Sequence, residues 1–294
     1  MESSRRRIRL QIHDLLNLWR VFRANPMGLI GLAMLAFFVV IAIFCPVFSP
    51  YDPRDTVGEF LAPASPAHIL GTDQLGRDIL SRVLYGTRIS LLVGITAAAI
   101  SVFIGTSIGL VSGYFGKAFG EVLMRFTDMF LVMPQLALMI ILAALLGRSL
   151  FIIMVVVGVT SWPWMARIIR SEVLSLKQRP FVERAISIGC SDFYLIRKHI
   201  LPNVMPLITA NAILTIPWAI VSESTLSFIG LGDPTAISWG SILSGAFSNS
   251  AIILGLWYWF IPAGLAIVLL SMSFALIGHV MDEVLNPRLR KRGV

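Results

Sequence analysis

Residues Glu183 to Pro202 read ERAISIGCSDFYLIRKHILP, a charged island between long apolar runs. The chain around it is 56% hydrophobic and 14% charged, so this island has a reason to exist only at a water-facing surface. Helix formers make up most of it, interrupted near Gly189-Cys190-Ser191-Asp192. That pattern predicts two short helices joined by a turn, with Asp192 as N-cap of the second. Gly189 can take a backbone conformation other residues resist, and it leaves room for a close partner. Pro202 suits the first turn of the following helix, where its missing N–H would have no partner anyway.

The flanking runs decide the class. A helix crossing the hydrocarbon needs roughly 20 apolar residues, and six stretches qualify, near 27–48, 89–113, 122–146, 150–169, 206–230 and 256–280. With mean hydropathy +0.82 and 294 residues, the chain is too apolar for a soluble domain. Alternating strand patterns are absent, and backbone amides in lipid must pair internally, so the spans are helices. The expected fold class is an all-α polytopic membrane protein. Its parts are a cytoplasmic amphipathic segment (1–26), a first transmembrane helix (27–48), an extracytoplasmic segment (49–88), a five-helix core (89–280) enclosing an inner loop (170–205), and a basic tail (281–294).

The net charge of +8 follows the same topology. With both termini inside, nineteen of the basic residues fall in inner segments and five (Arg54, Arg77, Arg82, Arg88, Arg148) outside, the asymmetry of the positive-inside rule. Nucleic acid is not the implied partner; the bilayer is, and the basic ends suit anionic headgroups. Cys45 and Cys190 then lie on opposite sides of the membrane, which excludes a disulfide between them. The run from Met27 to Phe48 exceeds a signal-peptide core and lacks a small-x-small cleavage site, so it reads as a retained helix.

Within this frame, Pro- and Asp-rich turn signals open the outer segment, and GTDQLGRDILSRVLYGTRISL closes it with a short helix capped near Thr72 or Asp73. Gly105, Gly109 and Gly113 continue a four-residue spacing begun by Ala97 and Ser101, a smooth stripe for helix packing within the chain or against another subunit. Pro134 predicts a kink in the third span. Residues 231–255 read as an outer loop, and Trp257 to Phe260 as an interfacial aromatic belt.

Chemistry-bearing patterns are sparse. The one Gly-Lys pair, Gly116-Lys117, has Val111 and Ala118 where a phosphate loop needs Gly and Ser or Thr, so the chain lacks an ATPase motif of its own. No nucleophile has a plausible base, and no His, Cys or Asp cluster has metal-ligand spacing. Arg125 and Asp128, one helical step apart, read as a local pair. Glu223 sits inside the fifth span, either as a pathway or gate residue or as a buried hydrogen-bonded contact between helices.

The island also resembles the coupling loop of the permease subunits of ABC importers, whose form is Glu-Ala-Ala, three residues, Gly, nine residues, an apolar residue, one more, then Leu-Pro. Glu183, Ala185, Gly189, Leu201 and Pro202 match it; Arg184 replaces the first of the two alanines, and His199 stands at the apolar position with Ile200 beside it. NPMGLIGLAML in and before the first span, the outer block with Gly71, Thr72, Asp73, Gly76, Arg77 and Asp78, LSFIGLGDPTAISWGSIL after the fifth span, and the terminal NPRLR are similar to the OppC/DppC-type permeases of peptide and nickel ABC importers. That resemblance implies the type I importer fold and a pathway shared with a homologous second permease. It implies two ATPase subunits holding ATP and Mg at the inner face, an extracytoplasmic binding protein, and no cofactor on this chain. Peptides are the substrate it suggests first, with nickel chelates, glutathione and oligosaccharides as alternatives. A secondary transporter or channel working without ATPases is the rival class.

Overall fold

The computed structural model describes residues 25–285, with side chains through Asp282. The amphipathic stretch expected within 1–26 and the basic tail therefore lie outside the described residues, apart from their helix-side ends. The helices are α1 (Pro26–Phe48), α2 (Ile79–Phe115), α3 (Lys117–Val132), α4 (Gln135–Leu146), α5 (Leu150–Lys177), α6 (Pro180–Ser187), α7 (Asp192–Leu195), α8 (Leu201–Phe228), α9 (Trp239–Ser248) and α10 (Trp257–Leu285), with a π-helical turn at Ile196–Ile200. Among the described residues there is no strand, only an isolated bridge between Thr72 and Asp78.

The packing of α2 on α5 sets the topology. A side chain added at Gly105 would put its Cβ 2.6 Å from the Cβ of Met165; at Gly109, 2.7 Å from that of Ile169; at Gly113, 2.8 Å from that of Val173. Gly158 of α5 answers with the same closeness to Ile100 of α2. Numbers rise together along both helices, so α2 and α5 run parallel. The small-residue stripe is thus a seam inside the chain, where van der Waals contact replaces the hydrophobic drive that lipid cannot supply.

Two parallel helices require a return crossing between them, which α3 and α4 supply. They are bent by 88° at a short break, where Met133 is extended (ψ 134°) and Pro134 starts the next turn without an N–H. The expected kink in 122–146 is therefore a break: proline removes a donor and forces its predecessor out of the helical region. Gln135 then fastens α4 by donating to the Thr160 carbonyl (3.3 Å) and the Ser161 hydroxyl (2.9 Å). With this pair as one crossing, five further helices long and apolar enough to span make six.

Three other expectations change. The short helix before the second span is the first part of α2 itself, and Asp78 caps it, not Thr72 or Asp73, accepting from the Ser81 amide at 2.8 Å. Outer loop 231–255 contains α9, started by a reciprocal Ser238–Ser241 capping box. Arg125 does not pair with Asp128; Asp128 forms its ion pair with Arg167 of α5.

Candidate functional site

The inner end of the bundle carries an arm from Pro180 to Ile200. Its first helix, α6, ends as Gly189 turns with φ +82°, donating to the Ile186 carbonyl while Cys190 donates to that of Ala185. This closure needs a left-handed residue after the helix, and glycine supplies it without a Cβ penalty. No atom beyond its chain neighbours would lie within 4 Å of a Cβ added at Gly189, so the turn projects into open space. Asp192 is the first residue of α7 rather than its cap; Ser191 holds the cap position.

The arm has two faces. Ala185, Leu195 and Ile200 are buried in one cluster with Tyr114, Ile169, Val173 and Leu176, and Val182 is buried as well. On the other side Ile188 is 80% and Phe193 72% exposed, with Ile186 and Tyr194 also open. His199, at the motif's apolar position, sits between the Phe181 and Tyr194 rings (centroids 6.2 and 5.6 Å), while neighbouring Ile200 makes the buried contact. Glu183 is exposed. Leu201 and Pro202 do not begin a separate helix. Asp192–Phe228 is continuous through the π turn, which widens the backbone where Pro202 cannot donate.

Tyr114, at the inner end of α2, was not flagged by its sequence context and proves central. Its hydroxyl donates to Asp192 at 2.6 Å, its carbonyl accepts from Lys177 at the end of α5, and the Lys177 ammonium lies 5.0 Å from its ring centroid. One residue thus ties α2, α5 and the arm together.

At the opposite end, the GTDQLGRD block folds into a clasp. Asp73, 1% exposed, accepts from the amides of Leu75 (2.8 Å) and Arg77 (3.0 Å) and pairs with the guanidiniums of Arg77 (2.7 Å) and Arg82 (3.5 Å). Arg82 also donates to the Pro53 carbonyl at 3.1 Å, and Thr72 exchanges backbone and hydroxyl bonds with Ala62. Asp78 meets buried His68 at 3.1 Å. Gly71 and Gly76 supply the left-handed turns, at φ +69° and +70°. The block holds residues 53–82 together; all six of its expected residues lie in one unit.

Glu223 is 1% exposed, and its carboxylate accepts from Ser227 at 2.7 Å and Ser224 at 3.3 Å. It does not open to solvent in this chain. Beyond α8, Asp233 accepts from the Thr235 amide (2.8 Å) and hydroxyl (2.7 Å) and from Leu150 at the start of α5 (3.1 Å). Burial pushes its carboxyl up, but these bonds outweigh it and hold it below the usual carboxylate range. Among the described residues no His, Cys, Asp or Glu cluster could hold a metal.

The family described as binding-protein-dependent transport system inner membrane component matches residues 105–291. The chain belongs to this family. It is the membrane permease subunit of an ABC importer, with the type I importer permease fold. The description N-terminal TM domain of oligopeptide transport permease C matches residues 16–69 of this permease. It is 37% identical over 282 residues to the oligopeptide transport system permease protein OppC of Bacillus subtilis, covering 94% of this chain and 92% of that one. To the dipeptide transport system permease protein DppC of the same organism it is 38% identical over 275 residues, 93% and 85% of the two chains. OppC of Escherichia coli K12 is 40% identical over 270 residues, 91% and 88%.

Proposed function

We propose that this permease forms, with a homologous second permease, a pathway for di- or oligopeptides, and that residues 180–202 dock on a cytoplasmic ATPase and transmit its movement. The observation that carries the coupling role is the arm's division into two faces. Its inner face is packed on α2, α5 and α8, while Ile188, Phe193 and the turn at Gly189 stand free. Apolar side chains on a water-facing surface mark a protein contact. The Tyr114 bonds and the unbroken helical run from Asp192 make the arm a stiff extension of the bundle, so force on it reaches the spans.

Peptide as cargo rests on the relatives, which bear oligopeptide and dipeptide names. ATP and Mg belong on two ATPase subunits, since this chain's Gly116-Lys117 lacks the phosphate-loop surroundings. An extracytoplasmic binding protein would meet the outer face, of which the Asp73 clasp is a part. ATP binding would favour one orientation of the two permeases and hydrolysis the other, a shift driven by differential stabilisation.

The test is purification of the tagged chain from its native membrane in mild detergent, followed by reconstitution and uptake of a radiolabelled peptide. Co-purified ATPases, a second permease and ATP-dependent peptide uptake are expected. Uptake of a metal chelate or sugar in place of peptide would replace the cargo. A chain that transports without any ATPase would overturn the coupling role.

A further inference from the structure

Pro46 interrupts the hydrogen bonding of α1 in its last turn. Having no N–H, it leaves the Ala42 carbonyl without its helical donor, apart from the weak Cys45 thiol at 3.8 Å. Arg88 of α2 fills the gap. Its Nε donates to the Ala42 carbonyl, one Nη donates to that of Ile43 at 2.9 Å, and the guanidinium lies 5.7 Å from the centroid of the Tyr85 ring. Two helices are thereby joined around one cation, whose place is set by backbone and ring.

These partners orient the charge without neutralising it. Among the described residues no carboxylate pairs with Arg88. The side chain is exposed, and the exposed side chains around it are Ile43, Phe44 and Val47 of α1 and Leu92 and Ile95 of α2. Along α2, Arg88, Leu92, Ile95, Ala99 and Phe103 share one exposed face that the glycine seam leaves free. Its depth fits the phosphate level of a bilayer. The 37 residues of α2 measure about 55 Å at 1.5 Å per residue, against about 30 Å of hydrocarbon. Centred, the helix overhangs by about 12 Å at each end. Arg88 stands nine residues past Ile79, about 13 Å along the axis. The cation therefore lies where hydrocarbon gives way to headgroups.

We propose that Arg88, held by the Ala42 and Ile43 carbonyls and the Tyr85 ring, binds the phosphodiester of an outer-leaflet phospholipid whose acyl chains lie along the apolar faces of α1 and α2. An arginine exposed in such a surface is costly on its own, and a phosphate oxygen offsets that cost. The N–H groups left free on its planar fork match phosphate oxygens with a geometry that an ammonium lacks. The lipid then becomes part of the contact between the first span and the core. This site is independent of the cargo and of the ATPase coupling.

The test uses the full-length chain purified from its native membrane with its co-purifying subunits. Stripped of weakly held lipid in detergent, it is titrated with short-chain phosphatidylglycerol, and retained lipid is counted by native mass spectrometry. The parent should hold one lipid more than Arg88→Gln, which keeps a donor for the α1 carbonyls and lacks the charge. Apparent affinity for that lipid should fall at least about tenfold, the scale of one charge-assisted hydrogen bond. Arg88→Ala should lose the same lipid; if it fails to assemble, the glutamine variant still decides. Equal retention by the parent and Arg88→Gln would overturn the site. So would equal retention of the matching diacylglycerol, which has the acyl chains and no phosphate. Displacement of the lipid by inorganic phosphate would assign the guanidinium to a free anion and reject the lipid. In native membranes, a photoactivatable benzoylphenylalanine in place of Leu92 should cross-link to lipid. A cross-link to a second permease would make this face a protein interface and overturn the proposal as well.

Discussion

Gly189 and Gly105 are glycines for opposite reasons. Gly189 has open space around it and φ +82°, whereas Gly105 has ordinary helical geometry and no space, with the Trp162 carbonyl 2.7 Å from where a Cβ would stand. Gly189→Val should cost about 1–2 kcal/mol of local backbone strain and leave membrane insertion intact. Transport should fall while the amount of assembled complex stays unchanged, as read by uptake beside immunoblotting of the membranes. Gly105→Leu should instead overpack the α2–α5 seam by about 1–3 kcal/mol, lowering the unfolding midpoint in detergent by fluorimetry. The sequence made both legible in part: four-residue spacing announced a seam, and a glycine between two helix-forming stretches announced a turn. It could not say that α5 was the seam's partner, because small residues specify closeness and not identity. Tyr114 was invisible for a similar reason, since an aromatic at the end of an apolar run gives no sign of a carboxylate 78 positions away.

Among the elements, the outer clasp depends most on one side chain. Asp73→Ala would leave buried Arg82 without its carboxylate, a change that costs about 3–5 kcal/mol when a buried pair is broken from one side. The expected result is faster proteolysis and amide exchange confined to residues 53–78, with α2 and α5 protected as before. Asp233 predicts a pH dependence. Its folded pKa lies below its unfolded value, so its stabilisation is full above the ordinary aspartate range, near pH 3.9, and fades as pH falls through the folded value. The gap in thermal stability between parent and Asp233→Asn should therefore be present at neutral pH and close on acidification below about pH 4. The rearranged elements were the ones governed by long-range contacts. Pro134 marked a disturbance in the third span, but an 88° break needs Gln135 to find Thr160 and Ser161. The π turn needs Pro202 inside a helix that packing keeps continuous, and α9 is too short and too uncharged to stand out from a loop.

For the whole molecule, six crossings were readable from apolar length, and the placement of arginine and lysine predicts both ends inside. The parallel seam supports that count independently, because it obliges α3 and α4 to return the chain. In sealed right-side-out vesicles, Arg148→Cys should react with an impermeant maleimide, whereas Ser187→Cys on the arm should react only after permeabilisation. Arg148→Cys labelling only after permeabilisation would put the α4–α5 turn inside and remove one crossing. The bent pair also sets an order of events during synthesis. Leaving the ribosome, residues 117–146 present a half that carries Lys117, Glu121, Arg125 and Asp128, then an apolar half from Met129 that is interrupted at Pro134 and Gln135. The partners that hold it bent, Thr160, Ser161 and Arg167, emerge later. The third span can therefore reach its final packing only after those residues have followed it, and a nascent chain halted before residue 160 would hold α3 and α4 broken at Pro134 but not yet fastened to α5.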